Sequence, residues 1–190
     1  MMTKRRLFAL PAFLLAVALP SLGATPRIGD KAPDFTLPTV GGSQLTLSSL
    51  TAKGSVVLVV LRGYPGYQCP FSQQQFAAYE EAAASFAAAG AEVVFVYPGT
   101  GGKELMKSAQ QLAGSIALPP HTHLVVDSGY QFTTQYGLRW EAADQTAYPS
   151  TFLVSNKGLV FFAHTGRTSS DQTPPTETLA ALTANTDAQK

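Results

Sequence analysis

Cysteine is almost absent from this chain: among 190 residues there is only Cys69. A lone cysteine excludes an internal disulfide, a Cys-x-x-Cys dithiol and any metal site built on several thiolates from one chain. Charge is scarce as well, at 13% of residues, and thirteen basic groups nearly cancel twelve acidic ones. Beyond residue 24 no basic run or sustained positive face occurs, which argues against nucleic acid and against electrostatic attachment to a membrane. Long apolar runs are also few. The longest, Leu7 to Leu19, falls short of the roughly 20 residues needed to span a bilayer and is interrupted by Pro11. No internal repeat is found. What remains is a chain with 45% hydrophobic residues, long enough for one domain with a real core and too short for two.

The first residues carry a processing pattern. Lys4, Arg5 and Arg6 precede the apolar stretch, and Ser21-Leu22-Gly23-Ala24 supplies small residues suited to cleavage after Gly23 or Ala24. This predicts a secretory signal peptide over 1–24 and a mature domain over 25–190, delivered to a bacterial periplasm or secreted. An uncleaved anchor is the competing reading, disfavoured by the short run and its proline. No cysteine follows the apolar run to accept a lipid. Three of the thirteen basic groups and none of the acids lie in 1–24, leaving ten against twelve in the mature chain. A small neutral substrate suits that balance.

Hydrophobic patterning predicts an α/β order. Val56 to Leu61 and Glu92 to Tyr97 are valine-rich runs of the kind that form strands buried on both faces. Between them, a loop from Arg62 to Gln68 leads into Cys69-Pro70, and Phe76, Tyr79, Ala83 and Phe86 recur at helical spacing up to a stop at Gly90. Further along, helix is expected over Lys103 to Ala113, a short strand over Leu124 to Asp127 and a short helix over Tyr130 to Tyr136. Thr151 to Ser155 and Leu159 to Ala163 form a hairpin through Asn156-Lys157-Gly158. A last helix covers Thr176 to Thr183 after Pro174-Pro175.

Cys69 therefore falls at a strand-to-helix junction. There its sulfur lies near the positive end of a helix dipole and near backbone N–H groups that lack partners, a setting that favours a thiolate. Pro70 fits the first helical turn because its missing N–H would have no acceptor there. The competing reading is a small buried hydrophobe. The surrounding turn formers favour the reactive thiol.

This order, with cysteine opening the first long helix and a proline before a late strand, resembles the thioredoxin fold: a central mixed β-sheet flanked by helices, here with an N-terminal extension. Within that superfamily the chain is most similar to peroxiredoxins of the alkyl hydroperoxide reductase and thiol-specific antioxidant group. The likeness is carried by Gly29-Asp30-Lys31-Ala32-Pro33-Asp34-Phe35-Thr36-Leu37-Pro38, Leu45 to Leu50, Val57 to Arg62, Cys69-Pro70, Asp127 with Tyr136-Gly137, and Thr151-Phe152-Leu153-Val154 with Gly158. Through its thioredoxin fold, this resemblance implies that Pro149, in Tyr148-Pro149-Ser150-Thr151, is a cis-proline facing the sulfur; the alternative is a proline that simply opens a strand. It also implies a Cys69 sulfenic acid formed on a peroxide and reduced by an external thiol or a thioredoxin-like partner, with no cofactor.

The departures from that family are specific. Gly66 stands where a peroxide-binding threonine or serine is usual, Arg62 where a proline is usual, and Pro149 where many members carry a peroxide-polarising arginine. Arg62, Arg139 or Arg167 is then needed to supply the positive charge, and Arg62 is nearest in sequence. Ser72 completes a Cys-Pro-Phe-Ser sequence. Its hydroxyl is placed to reach the sulfur one turn away, or it is a capping or solvent-facing serine. Two further functions stay open at this point. One is thiol–disulfide exchange at a Cys-x-x-Ser site, with a disulfide as substrate. The other is copper binding by Cys69 with His121, His123 or His164, for which surface histidines are the plainer reading. Trp140, Tyr64 and Tyr67 are expected around the cleft.

Overall fold

The computed structural model describes residues 23–114 and 117–188. The predicted signal peptide lies outside them except for Gly23 and Ala24. Among the described residues no helix is long and apolar enough to cross a membrane.

A five-stranded mixed sheet forms the centre. In chain order its strands are β3 (Ser55–Val60), β6 (Ala91–Gly99), β7 (Thr122–Ser128), β8 (Ser150–Val154) and β9 (Val160–Thr165), arranged β7-β6-β3-β8-β9. β3, β6 and β7 run parallel, while β8 is antiparallel to both β3 and β9. Val56 to Leu61 are fully buried. This is the burial expected of a central strand covered on both faces, and it is why the sequence there does not alternate. Successive side chains point to opposite faces, so Val56, Leu58 and Val60 join one core layer and Val57, Val59 and Leu61 the other. The fold is the expected α/β thioredoxin-like one.

The first core layer is closed by the N-terminal segment. A small hairpin of β1 (Thr36–Pro38) and β2 (Gln44–Thr46) leads into the short helix α1 (Leu47–Thr51). Phe35 meets Phe132 edge-on at 4.9 Å, and Tyr136 donates to the Pro33 carbonyl at 2.7 Å. Phe132 lies in α5 (Gln131–Gln135) and Tyr136 caps its C-terminal end, while the helix start is held by Asp127. That fully buried carboxylate accepts from Phe132 N–H at 3.0 Å, from Thr133 N–H at 2.9 Å and from the Thr133 hydroxyl at 2.5 Å. The buried charge is thus satisfied by local donors, as burial of an anion demands.

The second layer is covered by α2 (Pro70–Glu81), α3 (Ala83–Ala88), α4 (Lys103–Ala113) and α6 (Pro175–Ala188). One continuous helix to Ala89 is the sequence expectation, yet Ala82 sits at φ −87°, ψ 0° and divides it. Ala82 packs against the core beside the break, and the offset brings Phe86 face to face with Tyr79 at 5.4 Å.

Three buried tyrosines set an alkaline limit to stability. Burial pushes the phenols of Tyr79 and Tyr97 up to about 12 and that of Tyr136 higher still. Unfolded phenols lose their protons near pH 10, so the unfolded chain releases protons while the folded one retains them. The stabilisation is complete below about pH 10 and is lost as pH rises toward 12, at about 1.4 kcal/mol per pH unit for Tyr79. The urea midpoint should be flat from pH 8 to 9.5 and fall steeply by pH 11; a midpoint unchanged at pH 11 would contradict this.

Candidate active site

Cys69 is the N-cap residue of α2, at φ −64°, ψ 119°, with Pro70 at the first helical position. Its carbonyl accepts the Gln73 N–H at 3.0 Å, the first bond of the helix. The segment leading to it is not a plain loop. Gly63–Tyr64 (β4) and Tyr67–Gln68 (β5) pair antiparallel around Pro65-Gly66, with Gly66 at φ +88°. Proline followed by a residue at positive φ is the chemistry of a tight turn, and glycine takes that φ without steric cost. The hairpin folds back over the carboxyl end of β6 so closely that a Cβ on Gly63 would lie 2.3 Å from the Tyr97 hydroxyl. Tyr97 donates in turn to Gln68 Oε1 at 2.9 Å. Family pattern would put a hydroxyl residue at 66; backbone geometry here asks for glycine.

The thiol is 1% exposed, and Arg62, also buried, reaches it: Nη1 donates to Cys69 Sγ at 3.8 Å. The guanidinium carbon lies 4.8 Å from the centre of the Trp140 ring, and that ring stacks on Tyr148 at 4.7 Å with 7° between the planes. Nη2 donates to Gln145 Oε1, and the backbone N–H of Arg62 donates to Ser72 Oγ at 2.9 Å. Nε has no hydrogen-bond partner. Among the described residues no carboxylate forms an ion pair with Arg62. A buried cation without a carboxylate is costly unless something else carries negative charge beside it. The group in contact with it that can do so is the Cys69 sulfur.

The other expected residues are distributed differently. Ser72 is 1% exposed, neither solvent-facing nor a cap, and its hydroxyl holds the Arg62 backbone and receives Gln172 Nε2 at 3.5 Å rather than bonding the sulfur. No described peptide bond is cis, so the cis expectation for Pro149 is corrected. Pro149 is buried and opens β8: its carbonyl accepts the Gly166 N–H at 2.8 Å, a bond that ties the strand entry to the loop after β9. Arg139 lies over the Tyr130 ring at 3.8 Å and donates to the carbonyls of Trp140, Gln145 and Thr146. It therefore fastens the loop that carries Trp140 and Gln145. Arg167 is exposed and contributes its backbone N–H to Asp171.

The copper alternative does not find its geometry. His121 and His123, at the start of β7 and thus at the opposite end of the parallel strands from Cys69, both engage Glu92, at 3.0 and 2.8 Å. Burial pushes the Glu92 carboxyl up, but the hydrogen bonds from both imidazoles outweigh it and hold the group below its ordinary range. His164 pairs with Asp171 at 3.0 Å. Among the described residues no three His, Cys, Asp or Glu side chains are placed to hold a metal ion.

Gln145 is the residue that sequence reasoning missed. Nothing in its neighbourhood marks it, because it is brought to Arg62 across 83 positions by the loop. Trp140 carried a signal as the only tryptophan. Beside them a cavity of about 450 Å³ opens between the hairpin and the loop, with Tyr64, Pro65, Tyr130, Asp144 and Gln145 among its walls.

Comparison with known proteins agrees with this construction. A family model described as the AhpC/TSA family matches residues 28–163. No curated protein sequence matches. Among solved structures, the peroxidoxin BcpB from Mycobacterium tuberculosis superposes with a TM-score of 0.67 at 22% identity, over 84% of this chain and 97% of that one. A reduced 2-Cys peroxiredoxin from Plasmodium vivax gives 0.70 at 15% identity, over 85% and 83%. A peroxiredoxin-like protein from Aquifex aeolicus gives 0.69 at 15%, over 86% and 90%. At these identities the superpositions speak for the fold. The family match covers most of the chain, from the segment before β1 through most of β9 and with the whole Cys69–Arg62 site inside it, and the protein therefore belongs to the AhpC/TSA family.

Proposed function

We propose that this protein is an exported one-cysteine thiol peroxidase, acting in a periplasm or outside the cell, with Cys69 as the peroxide-reducing residue and Arg62 as its counter-charge. The observation that carries the proposal is the buried Arg62 guanidinium, which has no carboxylate partner among the described residues and donates to the single cysteine. The Cys69 thiolate attacks one peroxide oxygen; an S–O bond forms, the O–O bond breaks, and water or an alcohol leaves after taking a proton. Arg62 lies where negative charge passes from sulfur to the departing oxygen, and a fixed cation in a dry site stabilises that transfer.

The resulting sulfenic acid has no partner cysteine in the chain. An external thiol attacks its sulfur, releasing water and leaving a mixed disulfide, and a second thiol frees Cys69 as the external pair becomes a disulfide. Burial of the sulfur supports peroxide over a disulfide as first substrate. A molecule of a few atoms needs little opening of a site that is 1% exposed, whereas a disulfide must bring a bulky in-line leaving group.

Intact mass of the reduced protein after brief exposure to hydrogen peroxide with a sulfenic-acid trap, and separately to oxidised glutathione, tests this directly. With one cysteine each adduct has one possible thiol site. Rapid trapping of sulfenate with slow glutathionylation is expected; the reverse order would make disulfide exchange the activity.

A further inference from the structure

We propose that Gln145 is the positioning residue of this site. It holds Arg62 through a neutral amide oxygen so that the guanidinium's charge stays committed to Cys69. The proposal rests on Arg62 being the counter-charge of the thiolate, and it names what keeps it so.

Arg62 is gripped on three sides. Its ring-like face lies on Trp140, Nη2 donates to Gln145 Oε1, and the backbone N–H is taken by Ser72. The end that remains, Nη1, points to the sulfur at 3.8 Å. The guanidinium fork is rigid and planar, so fixing Nη2 and the face fixes where Nη1 goes. Placement of Gln145 is itself constrained, because Arg139 donates to the carbonyls of Trp140, Gln145 and Thr146 and thereby fixes the backbone on both sides of the side chain.

The chemistry of the acceptor matters as much as its position. A carboxylate there would hold the fork equally well, and more tightly, yet would neutralise the cation that the thiolate and departing oxygen need. One acid is next in sequence: Asp144. It is exposed, adopts φ +57°, a conformation that aspartate tolerates better than most residues, and forms no ion pair with Arg62. The loop thus presents an amide to Arg62 and leaves the adjacent carboxylate on the cavity rim.

The test compares the full mature chain with Gln145→Glu and Gln145→Met, measuring Cys69 alkylation at pH 7 by iodoacetate, an anion, and by iodoacetamide, its neutral analogue. Gln145 is half-buried and both replacements match its length, so all three proteins should unfold cooperatively with similar urea midpoints. Gln145→Glu should lower the iodoacetate to iodoacetamide rate ratio by about tenfold, the scale of one charge-assisted bond diverted from the site. Gln145→Met, which frees Nη2 without adding charge, should slow both reagents while leaving the ratio within about twofold of the wild type. A ratio unaltered in the Glu variant, or equal shifts in both variants, would overturn the proposal. Alkylation requires no peroxide. A wild-type protein that forms no sulfenate while the ratio still shifts would sink the peroxidase reading and keep this one, and sulfenate formation with an unshifted ratio would do the opposite.

Discussion

Cys69→Ser is expected to abolish sulfenate trapping and all peroxide turnover, to below detection in the same mass assay, while stability to urea changes by no more than about 1–2 kcal/mol. The two side chains differ little in size, so the packing at the start of α2 survives. The helix keeps its first bond through the residue 69 carbonyl, and Arg62 Nη2 keeps its acceptor on Gln145. What is lost is the low-energy anion. A hydroxyl does not ionise near neutral pH and has no accessible oxidised state corresponding to sulfenic acid. Peroxide consumption by the serine variant at the wild-type rate would remove Cys69 from the mechanism, because no second thiol exists to take its place.

Arg62→Met is expected to slow sulfenate formation by about ten- to a hundredfold, the rate equivalent of one hydrogen bond from a charged donor. Stability should move in the other direction or stay level. Methionine fills much of the same volume against Trp140, and the sulfur left without its cation can hold a proton and stay neutral, so loss of the pairing is offset by loss of the cation's desolvation cost. The combination separates the two roles that a buried arginine can have. An arginine kept for structure would give a less stable protein with an unchanged thiol; one kept for chemistry gives a protein at least as stable with a slower one. Arg62→Lys should fall between, since an ammonium retains the charge but cannot bond Gln145 and Cys69 along a rigid fork. Pseudo-first-order oxidation of the thiol under excess peroxide, alongside urea unfolding, measures both quantities. Equal oxidation rates for Met and wild type would dismiss Arg62 from the reaction.

The local elements were legible in the sequence wherever one physical pressure dominated. Val56 to Leu61 and Glu92 to Tyr97 read as buried strands because they are covered on both faces, and both form strands of the central sheet. Lys103–Ala113 begins and ends where glycines flank the helical run, and the Asn156-Lys157-Gly158 turn joins β8 to β9. Signals failed where competing terms were close. The alanine stretch around Ala82 has equal helical preference throughout, so only the packing of Phe86 on Tyr79 shows where the helix divides. The Arg62 to Gln68 segment has the sequence of a loop, because its strands are two residues each, too short for any periodic pattern.

By itself, the sequence determined that the protein would be an α/β domain with one thiol at a strand-to-helix junction, because composition, periodicity and the proline after Cys69 are local properties. Tertiary structure alone decided what surrounds that thiol. Ser72 turned from the sulfur to the Arg62 backbone, Pro149 joined a strand entry in trans, and Gln145 and Trp140 arrived from a distant loop to clamp the guanidinium. Contacts across 83 positions leave no trace in spacing, since they depend on where the sheet and its loops bring the chain rather than on any interaction between sequence neighbours.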